Sequence, residues 1–201
     1  MTVLSAEALQ VELEQRGALL TGHFKLSSGR HSNRFVQKFR ILEDPTLVEQ
    51  VATALVGRLP TGDIDVVVSA AVGGIVLGYE CARQLNTLGI FVEKEDGVAK
   101  LRRGFVLDEG DRALVVEDVV TTGLSVREVM AVVCEHGAEV AAVGAIVRRS
   151  EVDFGVPTVA LLDLPMESYA PDDCPQCRNG EALTEPGSRF LHMGSGGNTP
   201  S

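Results

Sequence analysis

The chain of 201 residues contains no tryptophan and only two tyrosines. Because single-stranded nucleic acids are held largely by stacking of bases on aromatic side chains, this scarcity argues against such a binding surface. Positive charge is also scarce, since 18 Lys and Arg face 28 Asp and Glu and give a net charge of −10. An acidic protein repels phosphate backbones and anionic lipid surfaces, so we expect neither a nucleic-acid nor a membrane partner.

Cysteines are few and long apolar runs are missing. The four cysteines, Cys81, Cys134, Cys174 and Cys177, are too scattered for a disulfide framework. No apolar run approaches the roughly 20 residues of a membrane helix. The first residues also lack the charged and apolar regions of a signal peptide. We therefore expect a cytoplasmic protein with reduced thiols.

Apolar strands alternate with helices from residue 64 onward. Strands are predicted at 64–68, 90–92, 112–117, 140–147 and 158–164, and helices at 75–85 and 125–136. Nearly continuous apolar strands of this kind predict an α/β fold, with a mostly parallel five-stranded sheet covered by helices on both faces. Ligands bind such sheets at the carboxyl ends of the strands, which directs attention to the segments that follow each strand.

Three regions of different character divide the chain. Residues 1–60 are predicted to form a small N-terminal hood that contains two helices, one capped by Ser5 and one by Asp44. Residues 61–165 hold the alternating strands and helices of the core. Residues 166–201 form a C-terminal segment with a Cys-x-x-Cys motif and a flexible tail rich in glycine and serine.

The stretch that most directly indicates chemistry follows an apolar strand. It runs Glu117, Asp118, Val119, Val120, Thr121, Thr122, Gly123, Leu124, Ser125. Its second half precedes a helix, where free backbone N–H groups and hydroxyl donors bind a phosphate. A nucleoside-triphosphate loop is excluded, because no G-x-x-x-x-G-K-[ST] pattern is present. Two carboxylates suit the hydroxyls of a ribose, so we infer a ribose 5-phosphate site; the alternative is a pair of strand-end acids without a ligand.

Two segments resemble those of a known family. Residues 115–125 resemble the phosphoribosyl-diphosphate (PRPP) motif of type I phosphoribosyltransferases, with its apolar strand, acidic pair and Thr-Thr-Gly. Residues 22–35 resemble the F-x-L-x-S-G-x-x-S motif of orotate phosphoribosyltransferases, and Lys25, Arg30 and Arg34 supply charge for an anionic base. The resemblance covers roughly residues 1–190 and implies the type I phosphoribosyltransferase fold.

The resemblance also implies the reaction. Orotate and PRPP would give orotidine 5′-monophosphate and diphosphate in pyrimidine biosynthesis, with Mg²⁺ bound through PRPP rather than by protein ligands. Glu117 and Asp118 would hold the ribose, and Asp118 would shield the positive charge of an oxocarbenium-like transition state. The family further implies a homodimer in which a loop of one subunit completes the site of the other.

Other residues take roles from their positions in the family. Gly73 and Gly74, after the first core strand, would bind diphosphate through backbone N–H groups, although a strand-to-helix turn needs glycine in any case. Residues 93–104 match the flexible catalytic loop, or alternatively form a solvated hairpin. Within this loop the candidate residues are Lys94 and Lys100 for catalysis, and Lys94, Arg102 and Arg103 for PRPP binding. The family's loop histidine is absent from this chain.

Orotate would be contacted by residues from three segments, namely Thr121, Arg149, Ser28 and Phe35. The alternative for Arg149 is a surface charge at a strand end. Cys174 and Cys177 are half of a possible zinc site, but the chain has no second Cys-x-x-Cys and no His-x-x-x-His. A reduced thiol pair is therefore expected, and the alternative is a metal shared by two subunits. Two other functions stay open: a non-catalytic nucleotide sensor on the same fold, and a purine phosphoribosyltransferase.

Overall fold

The computed structural model describes residues 4–26, 28–59 and 62–186. The strands are β1 Leu19–Lys25, β2 His31–Val36, β3 Val66–Ala70, β4 Leu88–Glu95, β5 Val98–Leu101, β6 Arg112–Val120, β7 Glu139–Arg148 and β8 Thr158–Asp163. The helices are α1 Ala6–Gln15, α2 Phe39–Leu42, α3 Pro45–Val56, α4 Gly73–Leu85, α5 Leu124–Glu135 and α6 Pro175–Arg178. A single 3₁₀ turn, Pro171–Asp173, precedes α6.

The central sheet has the strand order β5-β4-β3-β6-β7-β8. The five predicted strands are all present and parallel, because each is joined to the next by a helical or long crossover. The sheet nevertheless has six strands rather than five. β5 runs antiparallel to β4, and the two join through Asp96 and Gly97, whose φ angles of 52° and 81° suit a two-residue hairpin turn.

Helices cover both faces of this sheet, as predicted. Leu114 and Val116 of β6 point to the face that α1, α3 and α4 cover, whereas Val115 between them points to the face that α5 covers. This alternation follows from the two-residue period of a strand. Because both faces of the sheet are apolar and covered by helices, the sheet is buried. Polar side chains therefore lie at the carboxyl edge of the sheet.

The N-terminal helices begin where the sequence predicts. The Ser5 hydroxyl accepts the Ala8 N–H at 3.1 Å, and the Asp44 carboxylate accepts the Thr46 N–H at 2.9 Å. α3 packs on α4, β7 and β8, which brings the first 60 residues against the core. Among the described helices none is long and apolar enough to cross a membrane.

β1 and β2 form a separate antiparallel hairpin in the hood. The C-terminal segment lies along this hairpin: Phe24 pairs with Thr184, and His31 pairs with Tyr169 through two backbone hydrogen bonds of 2.9 and 2.8 Å. The chain therefore returns from the last core strand to the hood. The predicted flexible tail lies outside the described residues.

Candidate active site

Glu117 and Asp118, here called the acidic pair, lie near the carboxyl end of β6 in the middle of the sheet. Both are buried, with 7% and 1% of their surface exposed. Glu117 Oε1 accepts the Asp118 N–H at 3.0 Å, and Asp118 Oδ1 accepts the Val119 N–H at 2.6 Å. The backbone of the strand thus fixes the orientation of both carboxylates before any ligand arrives.

Lys38 is a site residue that the sequence analysis missed. Its ammonium lies 2.8 Å from Asp118 Oδ2. Lys38 directly precedes α2 in the hood, so the contact joins the hood to the sheet. Nothing in the sequence distinguishes Lys38 from the other basic residues of the hood.

Gly73 makes room for this ion pair. A Cβ at Gly73 would collide with Asp118 Oδ2 and would lie 2.7 Å from Lys38 Nζ. Gly74 is also closely packed, with a Cβ there meeting Val116 O at 3.3 Å. The two predicted diphosphate-loop glycines therefore border the acidic pair, and Gly73 has a packing reason to lack a side chain.

The pKa of Glu117 lies well above its ordinary value. Burial is the main cause and the negative charge of Asp118 is the second, while Lys38 partly opposes both. Two adjacent buried carboxyl groups resist carrying two negative charges. The acidic pair therefore favours a partner that brings hydrogen-bond donors, such as the hydroxyls of a sugar.

The segment 119–125, here called the phosphate loop, turns from β6 into α5. Gly123 has a φ of 77°, and a Cβ there would lie 2.8 Å from Val152 and 2.9 Å from Phe154. Glycine is therefore required for both conformation and space. The Thr122 hydroxyl accepts the Leu124 N–H at 3.4 Å. The loop encloses a hollow of about 30 Å³ at the N-terminus of the twelve-residue α5, where backbone N–H groups favour an anion.

A cleft of about 580 Å³, here called the main cleft, opens between the hood and the carboxyl edge of the sheet. Its walls include Phe35, Lys38, Asp118, Thr121, Ser125 and Arg149. Residues that are far apart in sequence thus share one cavity, whose size suits a small organic ligand. Three of the four predicted orotate contacts line it.

Ser28 is the predicted contact that does not line the main cleft. It is exposed at the turn between β1 and β2, where its hydroxyl accepts the Arg30 N–H at 3.5 Å. Leu26, two residues earlier, does line the cleft. The turn of the hairpin therefore borders the cleft without bringing Ser28 into it.

Arg149 and Arg148 differ in their partners. Arg148 donates two hydrogen bonds to Asp163, at 2.6 and 3.0 Å. Arg149 is half-buried, and its buried Nε has no hydrogen-bond partner among the described residues. Burial without a partner lowers the pKa of Arg149. An anion in the main cleft would satisfy this guanidinium, so Arg149 is the residue most suited to bind a carboxylate.

The predicted loop cations lie apart from the main cleft. Residues 93–104 lie largely in the β4–β5 hairpin, which is the stated alternative to the flexible loop that the family resemblance implies. The ion pairs are Lys94–Glu128 at 2.9 Å, Lys100–Glu95 at 2.8 Å, Arg102–Glu95 at 3.1 Å and Arg103–Glu93 at 2.7 Å. Lys94 lines a second cleft of about 330 Å³, together with Ala71 and Val72. Ser125 lines both clefts, so the second cleft adjoins the phosphate loop.

A further group of polar side chains lies in the hood. His23, His31, Cys174 and Cys177 bring one ligand atom each to within 4.8 Å of one another. The two cysteines, expected as a reduced thiol pair, thus have the ring nitrogens of two histidines beside them. The histidines escaped notice because they lie on two paired strands, eight positions apart, and not at the close spacing of one motif.

Comparison with known proteins agrees with this geometry. Residues 40–153 match the family model described as phosphoribosyl transferase domain. The orotate phosphoribosyltransferase of Caldicellulosiruptor bescii is 50% identical over 174 residues, which cover 86% of this chain and 92% of the relative. That of Pelotomaculum thermopropionicum is 50% identical over 180 residues, covering 89% and 95%.

Solved structures show the same fold. The crystal structure of orotate phosphoribosyltransferase from Aeropyrum pernix is similar with a TM-score of 0.61 and 30% identity, covering 78% of this chain and 93% of that one. An adenine phosphoribosyltransferase from Rhodothermus marinus has a TM-score of 0.61 at 22% identity, covering 77% and 99%, which supports the fold alone. The chain is therefore a transferase of the phosphoribosyltransferase family, and within that family it belongs with the orotate phosphoribosyltransferases.

Proposed function

We propose that this protein transfers the 5-phosphoribosyl group of PRPP to orotate and releases orotidine 5′-monophosphate and diphosphate. The observation that carries this proposal is the main cleft, where Arg149, whose Nε has no partner within residues 4–26, 28–59 and 62–186, faces the same space as the acidic pair and the phosphate loop. One cavity thus offers groups for a sugar, a phosphate and an anionic base.

The ribose-phosphate half of the ligand fits β6 and its loop. The ribose 2′ and 3′ hydroxyls would donate hydrogen bonds to Glu117 and Asp118. The 5′-phosphate would accept hydrogen bonds from the loop backbone and from the hydroxyls of Thr121, Thr122 and Ser125. Val119, Val120, Gly123 and Leu124 would contribute through the backbone of this loop.

The base half fits the wall made by the hood and β7. Arg149 would donate to the orotate carboxylate or to a ring oxygen, and Thr121 would add a hydroxyl. Phe35 would pack against the ring. Ser28, being exposed at the hairpin turn, would reach orotate only through a movement of that turn.

Catalysis would rest on charge placement. As the bond from ribose C1′ to the diphosphate oxygen breaks, its electron pair leaves with diphosphate and the ribose becomes positively charged. Orotate N1 would then form the new bond to C1′ and pass its proton to the departing diphosphate. The negative charge of Asp118, held by the β6 backbone, would stabilise the positive ribose without reorganisation.

The diphosphate would lie between the glycine turn and the hairpin cations. Gly73 and Gly74 would donate backbone N–H groups, and Lys94, in the adjoining second cleft, would add charge. Lys100, Arg102 and Arg103 would have to leave their glutamate partners. Exposed ion pairs contribute only about 0–1 kcal/mol, so such an exchange costs little.

We further propose a homodimer in which this hairpin completes the site of the other subunit. Apolar side chains at one side of the core support an interface there. Val72, Val76, Tyr79 and Leu88 are 71%, 44%, 70% and 68% exposed and occur on α4 and the adjoining segments. A soluble monomer rarely leaves several large apolar groups of neighbouring elements uncovered.

Mg²⁺ fits the proposal as a partner of PRPP. This ion prefers oxygen donors, which the hydroxyls and the diphosphate of PRPP supply. One oxygen of Asp118 already faces Lys38 and another the Val119 N–H, so the protein by itself offers few free ligands. When bound through PRPP, Mg²⁺ would neutralise charge on the departing diphosphate.

The proposal also assigns the three regions and the location. Residues 1–60 would serve as the hood over the base and residues 61–165 as the catalytic core. In the C-terminal segment 166–201, the described part up to residue 186 would brace the hood. Because both substrates are charged and do not cross membranes unaided, we propose a cytoplasmic location.

The test follows the near-ultraviolet absorbance of orotate after PRPP is added, with and without Mg²⁺. The proposal predicts a Mg²⁺-dependent loss of absorbance and no product with adenine or hypoxanthine as the base. Turnover of a purine would favour the purine phosphoribosyltransferase. No turnover of any base, with PRPP or nucleotide still bound, would favour a non-catalytic sensor.

A further inference from the structure

We propose that His23, His31, Cys174 and Cys177 bind one structural Zn²⁺ ion, which fastens the C-terminal segment to the hood. The site is independent of the acidic pair and of the proposed reaction. His23 lies on β1, His31 begins β2, and the two cysteines flank the first turn of α6. These elements meet because the C-terminal segment pairs with the hairpin on both sides, at Phe24–Thr184 and at His31–Tyr169.

The distances among the four groups match a tetrahedral site. His23 Nε2 lies 3.1 Å from His31 Nδ1, 3.4 Å from Cys174 Sγ and 3.7 Å from Cys177 Sγ, and His31 Nδ1 lies 3.2 Å from Cys177 Sγ. Zinc bonds of about 2.05 Å to nitrogen and about 2.3 Å to sulfur place two nitrogens about 3.3 Å apart, and nitrogen and sulfur about 3.5 Å apart. Four of the six edges of the tetrahedron thus lie within about 0.3 Å of zinc geometry, and all four ligand atoms lie within 4.8 Å of one another.

Hydrogen bonds cannot account for all of the close contacts in this cluster at once. The carbonyl of Glu181 lies 3.0 Å from His23 Nδ1 and only accepts hydrogen bonds, so Nδ1 carries the proton and Nε2 presents a lone pair. If His31 Nδ1 donates to that lone pair, it has none left to accept the thiol of Cys177. A cation at the centre uses all four lone pairs at once.

The same carbonyl contact is typical of a metal-binding histidine. A ligand histidine usually donates its other ring N–H to a carbonyl or carboxylate, which fixes the ring and its tautomer. Gln176, between the two cysteines, donates to the Gly22 carbonyl at 3.2 Å and so holds α6 against β1. The cluster thus has the supporting contacts that keep ligands in place.

The charge and softness of the donors favour zinc. Two thiolates and two neutral imidazoles around Zn²⁺ sum to zero charge, which suits a site where His23, His31 and Cys174 are at most 5% exposed. Thiolates and imidazoles prefer Zn²⁺ to Mg²⁺ or Ca²⁺. Four protein ligands leave no open position, so the ion would have a structural and not a catalytic role.

The bound ion would hold the hood and the C-terminal segment together beside the main cleft. Leu26 follows β1, and Pro186 ends the described C-terminal segment; both line the cleft. Fastening the two segments to each other would hold that wall. Loss of the ion should therefore lower the temperature of unfolding first, with any effect on the reaction as a secondary result.

The first experiment measures metal by elemental analysis in the untagged full-length protein, purified without chelators. We expect about one zinc per chain, and no more than a tenth of that in Cys177→Ser and Cys174→Ser. The matched control is Cys134→Ser, which replaces an exposed cysteine of α5 and should keep the zinc. Equal zinc in all three variants, or no zinc uptake by the wild type during dialysis against Zn²⁺, would overturn the proposal.

A second measurement does not depend on the variants folding. Co²⁺ exchanged into the wild-type protein should give the visible bands of a tetrahedral ion and a thiolate charge-transfer band in the near ultraviolet. An octahedral spectrum without the thiolate band would contradict the site, as would a Cys174–Cys177 disulfide found by mass spectrometry in freshly purified protein. Neither readout uses the transfer reaction, so each stands whether or not the proposed function holds.

Discussion

The main cleft and the β4–β5 hairpin both carry ionisable side chains, but the fold holds them in different ways. In the cleft the acidic pair is buried and tied to its own backbone, and Lys38 lies against Asp118. On the hairpin the cations are exposed and each faces a glutamate. Buried charges are costly to place but keep their geometry, whereas exposed pairs form and break at little cost.

This difference suggests a division of labour. The cleft is organised in advance to recognise the ribose and the base, which is where a fixed electrostatic field helps most. The hairpin is suited to exchange its glutamates for diphosphate when that group is present. Substitutions in the two regions should therefore differ in size and in the kinetic constant that changes.

The largest effect is expected from Asp118→Asn. Removal of the charge that faces the ribose should reduce turnover on the order of 10²–10³-fold, while circular dichroism shows an intact fold. The orotate absorbance assay measures this. Asp163→Asn is the matched control, since Asp163 is also a carboxylate at a strand end and pairs with Arg148 away from the acidic pair. Near-normal turnover in Asp118→Asn would contradict the role of the acidic pair.

Arg149→Gln should weaken the binding of orotate. A lost hydrogen bond to a charged group costs about 1.5–3 kcal/mol, so KM for orotate should rise roughly 10- to 100-fold with KM for PRPP little changed. Arg148→Gln is the control, because that neighbouring arginine bonds Asp163. If both variants raise KM for orotate equally, Arg149 has no special place in base binding.

A smaller effect is expected from Lys100→Gln on the hairpin. Turnover should fall by about one order of magnitude, less than for Asp118, because solvent screens an exposed cation. The unfolding temperature should hardly move, since the ion pair of Lys100 with Glu95 is exposed. Arg112→Gln, at the opposite end of the sheet, is a control that should leave turnover unchanged. Unaltered turnover in Lys100→Gln would remove the hairpin from the reaction.

The smallest effect is one on stability. Burial raises the pKa of Glu117, so folding disfavours its charged form. The resulting loss of stability is absent below the ordinary carboxyl pKa. It grows as the pH rises toward the pKa of Glu117 in the folded protein, and it is constant above that pKa. Glu117→Gln should therefore raise the unfolding temperature of the free protein by a few degrees at pH 8 and by little at pH 4, measured by calorimetry. An equal shift at both pH values would contradict this cause.

Most of the fold could be predicted because its signals are local. The β-branched run that includes Val66, Val67 and Val68 specifies a buried strand, and the Asp44-Pro45 step specifies the start of α3. β5 was missed for a physical reason: it is a short edge strand with exposed and half-exposed residues, including Lys100, and lacks an apolar pattern. Its segment was expected as a flexible loop.

The candidate site shows the same limit. The acidic pair and Gly123 lie in one continuous motif, and the sequence was enough to find them. Lys38 reaches Asp118 across about 80 positions of sequence. The histidines at 23 and 31 meet Cys174 and Cys177 only because the chain returns to the hood. Contacts made by tertiary folding leave no spacing in the sequence to detect.

A crystal structure of the protein soaked with orotidine 5′-monophosphate would test the central claim most directly. We expect the ribose hydroxyls to bind Glu117 and Asp118 and the phosphate to bind the phosphate loop. The orotate carboxylate or a ring oxygen should accept a hydrogen bond from Arg149. A nucleotide bound outside the main cleft, or with its base away from Arg149, would contradict it.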